Sequence, residues 1–495
     1  MIIKNKKLIV FLGILLITII FFLIKISCTK QESTEVIIAS VGTKTISLQE
    51  FISRAEFTVH PRIFNSKSAV LNNLVSEKLI AIDAGDHNRL LLNERFQAYI
   101  RGIQEQSMLE QLYLKEAFSQ VVVDTYEIKE TYKLAGREYN LEFYFTKPDM
   151  ANKINQSIRL GKKTAGEIFE ELKEIVLPIN HKVKWRDPEH EVIHKALFSK
   201  PLSQDTILGP LTIGEEGSII LKILDWKDYP TVSGEDALLR SKEVVKKLKE
   251  TKANAKWGDY IKQLMQGKEI RFKRESFRKL AQYFFDLRSA LNDEQKKIIV
   301  EDFWDTQQDI PDLNGIDRKE LFLASSFFQV NGDMWSVNDF MSALASHPLV
   351  YRKHQISSKE FKDQFRLAIM DLIRDHYATR EAYRMSLDKN RVVQRNVSMW
   401  KDALIASYYS KEVIKSLMKK ENISEEDMKK KDQYFQLYID RLYDRYKDEI
   451  KINTIELEKI KLTDVNMYVI RPNVPFPVVV PNFPQFTTMD RLNIE

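Results

Sequence analysis

His190-Glu191-Val192-Ile193-His194 has the spacing of a catalytic metal motif, fitting H-E-x-x-H. On a helix, residues four apart share a face, so both imidazoles would bind one zinc ion while Glu191 acts as base toward a metal-bound water. Asp187-Pro188 predicts the start of that helix, a good N-cap followed by proline at the first helical position. Against a zinc site, the segment is short, stopping before Pro201, and no Gly-x-x-His follows it. Glu215 or Glu216 would have to supply a third ligand. His60 and His347, each followed by proline, fit helix-ending turns better than an acid/base pair. The chain has no phosphate-binding glycine loop, nucleophile elbow or cysteine nucleophile, and its 15 glycines leave little scope for cofactor loops, so neither a small-molecule enzyme nor a cofactor is expected.

Cys28, the only cysteine, suggests a different chemistry. Lys4, Lys6 and Lys7 precede an uninterrupted apolar run from Leu8 to Ile24, which directs export. Cys28 follows four residues past that run, as the lipid-modified cysteine of a bacterial lipoprotein would. Ser27 suits the position before it; Lys25 falls where an apolar residue is usual. The run has 17 residues, which also meets the lower limit of the ~17–25 that span a bilayer, so an uncleaved single-pass anchor is the alternative. In both cases the remainder is expected outside the cytoplasm, tethered to a membrane surface.

The elements behind these residues come in two copies. Val41-Gly-Thr-Lys-Thr-Ile-Ser47-Leu-Gln-Glu50-Phe51 recurs as Val330-Asn-Gly-Asp-Met-Trp-Ser336-Val-Asn-Asp339-Phe340. Each copy predicts a short strand, a turn, and a helix entered through a capping box, Ser47/Glu50 and Ser336/Asp339. An amphipathic helix follows each, with one stripe formed by Leu71, Leu74, Val75, Leu79 and Ile82 and the other by Phe361, Phe365, Ile369, Leu372 and Ile373. Both copies end in a helix running into a short strand, Glu269-Ile-Arg-Phe272 and Glu449-Ile-Lys-Ile452. From Ser107 to Tyr260 is 153 residues, whereas the matching stretch Ser398 to Tyr438 is 40; the excess is the size of a small domain. The first copy therefore carries an insert that the second lacks.

That arrangement resembles the SurA/PrsA/PpiD-type envelope foldases, in which helical chaperone segments wrap around a parvulin-type prolyl isomerase domain. The resemblance covers most of residues 36–275 and, more weakly, 320–455. In the insert it rests on Ala196-Leu-Phe-Ser-Lys200, Ile207-Leu-Gly-Pro-Leu211 and Gly217-Ser-Ile-Ile-Leu-Lys-Ile-Leu-Asp225, with Leu141-Glu-Phe-Tyr-Phe-Thr-Lys147 and Val183-Lys-Trp185 earlier. The family places two histidines in its catalytic cleft; at the matching positions stand Phe143 and Ile219. Neither side chain can donate or accept a hydrogen bond. Twisting a prolyl bond means crossing a barrier of about 18–20 kcal/mol, so a competent site must favour the twisted amide over the planar one. The resemblance thus implies a parvulin-like domain without its usual polar equipment, suited to holding peptide.

The expected fold class is α+β, predominantly α: two helical chaperone modules, the first with an inserted parvulin-like domain. Expected segments are 1–28, export or anchor; 29–136, the start of the first module; 137–229, the insert; 230–275, the helix and strand closing the first module; 276–320, a helical connector; 321–455, the second module; and 456–495, a proline-rich tail. Pro472, Pro475, Pro477, Pro481 and Pro484 exclude helix and central strand there, leaving an ordered arm, a disordered tail or a docking peptide. A net charge of +6, spread along the chain, gives no footprint for nucleic acid. Tyr283-Phe-Phe285, Phe327-Phe328 and Tyr408-Tyr409 fit core positions most simply, with exposure of some of them to unfolded clients as the alternative for a chaperone. The resemblance implies unfolded or nascent envelope and secreted proteins as partners; a zinc peptidase and a structural envelope-assembly subunit are the alternatives.

Overall fold

The computed structural model describes residues 35–86, 88–214, 217–290, 323–353, 355–424, 426–463 and 467–492. The export segment with Cys28, Glu215, Glu216 and most of the expected connector lie outside them. In chain order the elements are β1 (Ile37–Val41), β2 (Lys44–Ser47), α1 (Leu48–Glu56), α2 (Lys67–Asp83), α3 (Glu94–Glu116), α4 (Thr125–Leu134), β3 (Arg137–Thr146), α5 (Pro148–Arg159), α6 (Ala165–Ile175), β4 (Ile179–Lys184), α7 (Glu191–Phe198), β5 (Ile207–Ile213), β6 (Gly217–Asp228), α8 (Gly234–Leu264), β7 (Ile270–Phe272) and α9 (Arg274–Ala290). They continue with β8 (Ser326–Val330), β9 (Asp333–Ser336), α10 (Val337–Ser346), α11 (Ser358–Arg384), α12 (Arg391–Lys420), α13 (Met428–Tyr446), β10 (Ile450–Ile452) and α14 (Thr454–Lys459). The fold is α+β and predominantly α, with small antiparallel sheets.

The chain divides into two compact units. One holds residues up to 88, 399–469 and 478 onward; the other holds 89–398 and 470–477. Each contains one copy of the repeated hairpin. Both hairpins close through two-residue loops, Gly42-Thr43 between the Val41 and Lys44 partners and Asn331-Gly332 between Val330 and Asp333. Positive φ at Gly42 (54°), Asn331 (50°) and Gly332 (92°) gives the turns whose twist matches the flanking strands.

The closing strands are exchanged relative to the sequence expectation. β10 pairs antiparallel with β1, Ala39 opposite Ile452, whereas β7 pairs with β8, Phe272 opposite Phe328. Side-chain shape accounts for the choice. Phe272 meets the rings of Phe277, Phe327 and Phe328 at centroid distances of 5.0, 5.9 and 5.8 Å, inside an aromatic core with Phe340, Phe361 and Phe365. Ile452 faces Ala39 in a unit whose buried strand positions, Ile38, Val41 and Ile46, are aliphatic.

The stripe expected on α2 is not a stripe. Val70 to Ala81 is buried on every face, including Asn72, Asn73, Ser76, Glu77 and Lys78. Packing of α1, β1 and α13 around the helix encloses it, so its polar residues need partners inside the unit. The capping box expected at Ser47/Glu50 is also only half formed. Ser47 Oγ accepts from the Glu50 N–H at 3.2 Å, but the Glu50 carboxylate lies 2.8 Å from Lys78 Nζ instead of turning back to Ser47. Ser336/Asp339 forms the complete box, with Asp339 Oδ2 accepting from Ser336 N and Oγ at 2.8 and 2.7 Å.

Of the three readings of the proline-rich tail, the ordered arm holds over its described residues, with Phe476, Val480 and Phe483 buried. In the second unit Phe476 packs edge-on against Tyr99 at 5.0 Å and closely over Gly102, where a Cβ would come within 2.4 Å of the ring.

Candidate functional site

The insert is a four-stranded antiparallel sheet in the order β4-β3-β6-β5. Alternation along β3 divides its side chains between two faces. Tyr144 and, on β6, Ile220 turn toward α5 and α6, packing with Ile154, Ile168, Phe169 and Leu172. Tyr139, Leu141, Phe143, Ile219, Leu221 and Ile223 turn to the other face, toward α7, Trp185, Leu197 and Phe198.

On this second face the structure brings Phe143 and Ile219 together as diagonal neighbours, since Phe143 pairs with Leu221 and Phe145 with Ile219. Leu211 of β5 lies opposite Ile219, and Ile179 of β4 lies opposite Phe143. Two apolar rows thus cross the sheet, Leu211-Ile219-Phe145 and Leu208-Leu221-Phe143-Ile179. Helix α7 does not cover them fully: Phe145, near the end of β3, is 46% exposed, and Ile179, which opens the edge strand β4, is 54% exposed. Ile175, Val176 and Leu177, just before β4, are also exposed.

One imidazole belongs to this face. His181 of β4, opposite Leu141, stands edge-on to Phe143 with centroids 6.2 Å apart, and its Nε2 pairs with Glu189 Oε1 at 2.7 Å. The sequence reading missed it because it looked for histidines on β3 and β6, and only strand pairing places β4 beside Phe143. Its signal in the sequence was an isolated histidine in the alternating run Ile179-Asn-His-Lys-Val183.

His190, Glu191 and His194 do not converge. His190 is the N-cap of α7, its Nδ1 accepting from the Val192 N–H at 3.3 Å, so it precedes the helix on which the motif needed it. The cap expected at Asp187 is therefore displaced to His190; Asp187 instead accepts from the Lys184 N–H at 2.7 Å. His194 is buried, its ring 4.5 Å from Trp185 and 4.8 Å from Phe198, and its Nε2 is bonded to the Trp185 carbonyl at 3.1 Å. Burial lowers its pKa below the usual histidine value, against the pull of that carbonyl, so the ring is held neutral as a donor to Trp185. Among the described residues no group of three or more His, Cys, Asp or Glu is placed to hold a metal ion. His60 and His347 serve as local fasteners: His60 Nε2 bonds the Ala55 carbonyl at 2.9 Å and His347 Nε2 pairs with Asp375 at 3.1 Å.

A cluster of buried charged side chains lies in the first unit, and the sequence reading did not single it out. Arg54 of α1 holds Glu77 of α2 through two bonds of 2.9 and 2.7 Å, with both residues fully buried. Lys78 sits between Glu50 and Asp402, 2.8 and 3.1 Å away, and Lys44 reaches Asp402 at 2.6 Å. Burial pushes the Glu50 carboxyl up despite Lys78 and Arg54. Asp402 is held low by Lys78 and Lys44 although its burial works the other way.

No family model matches the chain, and no curated protein matches it. Among solved structures it is similar to PrsA from Bacillus subtilis, with 14% identity over 46% of this chain and 91% of that one and a TM-score of 0.14; the likeness is too slight to carry an argument. Among the described residues no helix is long and apolar enough to cross a membrane.

Proposed function

We propose that the protein is an extracytoplasmic, membrane-tethered chaperone of the foldase type, which holds unfolded envelope or secreted polypeptides and does not catalyse prolyl isomerisation to any useful degree. The observation that carries this reading is the incompletely covered apolar face of the insert around Phe143, Phe145, Ile179 and Ile219. Such a face gains by covering apolar side chains of a client, and many weak contacts of this kind suit unrelated sequences. At Phe143 and Ile219 it offers nothing to bond the rotating amide, and the imidazole beside them, His181, has its Nε2 engaged by Glu189. The tether is read from Lys4 to Ile24 and Cys28.

Purified residues 29–495 should suppress aggregation of a chemically denatured client at stoichiometric ratios, with or without chelator. Phe145→Ser combined with Ile179→Ser should weaken that protection while leaving the fold intact. In a proline-peptide assay the protein should give no acceleration, and turnover comparable to an active parvulin would overturn the reading. For the tether, Cys28→Ser should block processing of the export segment and abolish labelling with a fatty-acid analogue; a wild type that takes up no label would point to the uncleaved anchor.

A further inference from the structure

The arm from Val478 onward is not packed as an ordinary core segment. Its sequence Val480-Pro-Asn-Phe483-Pro-Gln-Phe486 places an apolar residue at every third position, the period of a polyproline-II strand. Val480, Pro481, Phe483 and Pro484 are buried and Asn482 and Gln485 exposed, so the triplets present one face inward. No helix or strand is formed over these residues, and the two prolines bring no N–H that would need a partner.

The surface beneath them reads main chain. The buried Asn73 of α2 accepts from the Phe486 and Thr487 N–H groups at 2.8 and 3.0 Å and donates to the Thr487 carbonyl at 2.9 Å. Gln436 of α13 donates to the Phe486 carbonyl at 2.9 Å, Arg54 to the Asn482 carbonyl at 2.8 Å, and Asn72 accepts from the Arg491 N–H at 3.0 Å. Rings supply the rest: Phe483 lies 4.5 Å from His60 and 5.4 Å from Phe64, and Phe486 lies 6.4 Å from Phe435. The second unit uses the same device, with Gln106 bonding both the N–H and the carbonyl of Phe476 at 2.9 Å. Amides that hold peptide groups, beside rings that accept a Φ-Pro-x repeat, specify a backbone conformation more than a sequence.

We infer that the surface formed by α1, the α1–α2 connection, α2 and α13 in the first unit is a peptide-binding site for extended polypeptide segments with repeating Φ-Pro-x triplets, and that the protein's own arm is its resident ligand, exchanging with such a segment of an unfolded polypeptide. This rests on the polypeptide-holding reading for the identity of the natural partner, but the site is distinct from the face of the insert. With the arm seated, only the fraction of molecules whose site is open binds in trans, so apparent affinity is reduced by that fraction.

The test uses the full chain and a fluorescent peptide copying residues 478–492. Phe483→Ala in the chain weakens the arm in cis and should tighten binding of the wild-type peptide about tenfold or more. Adding Asn73→Ala to that chain should return binding to background, and a peptide with Phe483→Ser and Phe486→Ser should not bind. Circular dichroism and thermal melting of each chain accompany the titration. The inference is overturned if the Phe483→Ala chain stays folded and binds no peptide, if it unfolds, which would make the arm plain core, or if light scattering shows it dimerising by arm exchange with no uptake of peptide. Loss of aggregation suppression alone, with peptide exchange intact, would strike the proposed function and spare this site.

Discussion

The two copies of the hairpin start from the same lettering and solve the interior differently. In the copy beginning at Ser336, Asp339 stays at the surface and completes the cap, and the interior is filled by Phe327, Phe328, Phe340, Phe361 and Phe365. In the copy beginning at Ser47, the matching acid is drawn inside to Lys78, and the largely aliphatic interior also buries the Arg54–Glu77 pair. A carboxylate at the third helical position has two stable uses: bonding the cap residue in water, or pairing with a buried cation. Which one it takes depends on whether the next helix brings a lysine to it. Lys78 does this in the first copy; in the second, α11 carries Glu360 into a cap of its own, where Lys353 and Ser357 pull its carboxyl down to about 2.

The comparison breaks most visibly at Lys78. Lys78→Ala leaves Glu50 and Asp402 buried without their shared cation, and breaking a buried ion pair from one side typically costs about 3–5 kcal/mol. Denaturant unfolding should show that loss, and hydrogen exchange should place it in β1, β2, α1 and α2 with little change in α10 and α11. A small effect, below about 1 kcal/mol, would mean that water reaches the cluster and that the two interiors are less different than described.

At the matching surface cap, Asp339→Ala removes the carboxylate that accepts from Ser336 N and leaves the Ser336 cap bond in place, so it should cost about 0.3–1 kcal/mol, the usual worth of an acid in the first turn. Exchange should quicken at the first turn of α10 and not spread. Asp339→Asn, which keeps an acceptor, should recover most of the loss. If instead Asp339→Ala unfolded the second unit, the acid there would hold up the interior as Glu50 does in the first.

The smallest expected effect is the opposite slope with pH. Asp339 and Glu360 have folded pKa values below their unfolded ones, through the Ser336 and Ser357 caps and, for Glu360, Lys353. Their stabilisation is therefore present above the unfolded carboxylate range and lost as pH falls through it, for Glu360 from 4.5 toward about 2. Glu50 has its folded pKa raised, so the folded state takes up a proton that the unfolded chain has released, and its contribution weakens as pH rises from 4.5 through the raised value. Asp402 in the same cluster runs the other way, which makes Glu50→Gln the informative variant. It should remove the downward slope in the first unit above pH 4.5. An unchanged slope would show that Glu50 is ionised throughout.

The sequence by itself determined what is local. Period and capping residues set most of the helices, and Gly42 and Asn331-Gly332 set the hairpin turns, because each depends on side chains a few residues apart. Tertiary structure alone decided which hairpin each closing strand joined, since Ile-Arg-Phe and Ile-Lys-Ile have the same pattern and differ only in the shape that the core beneath them accepts. It also decided that Glu50 turns inward, that His194 is spent on the Trp185 carbonyl, that His181 stands beside Phe143, and that Asn72 and Asn73 hold the arm. Each of these joins groups remote in sequence or on different elements, and a polar side chain's partner is chosen by whatever the packed chain places within about 3 Å of it, which spacing along one element does not encode.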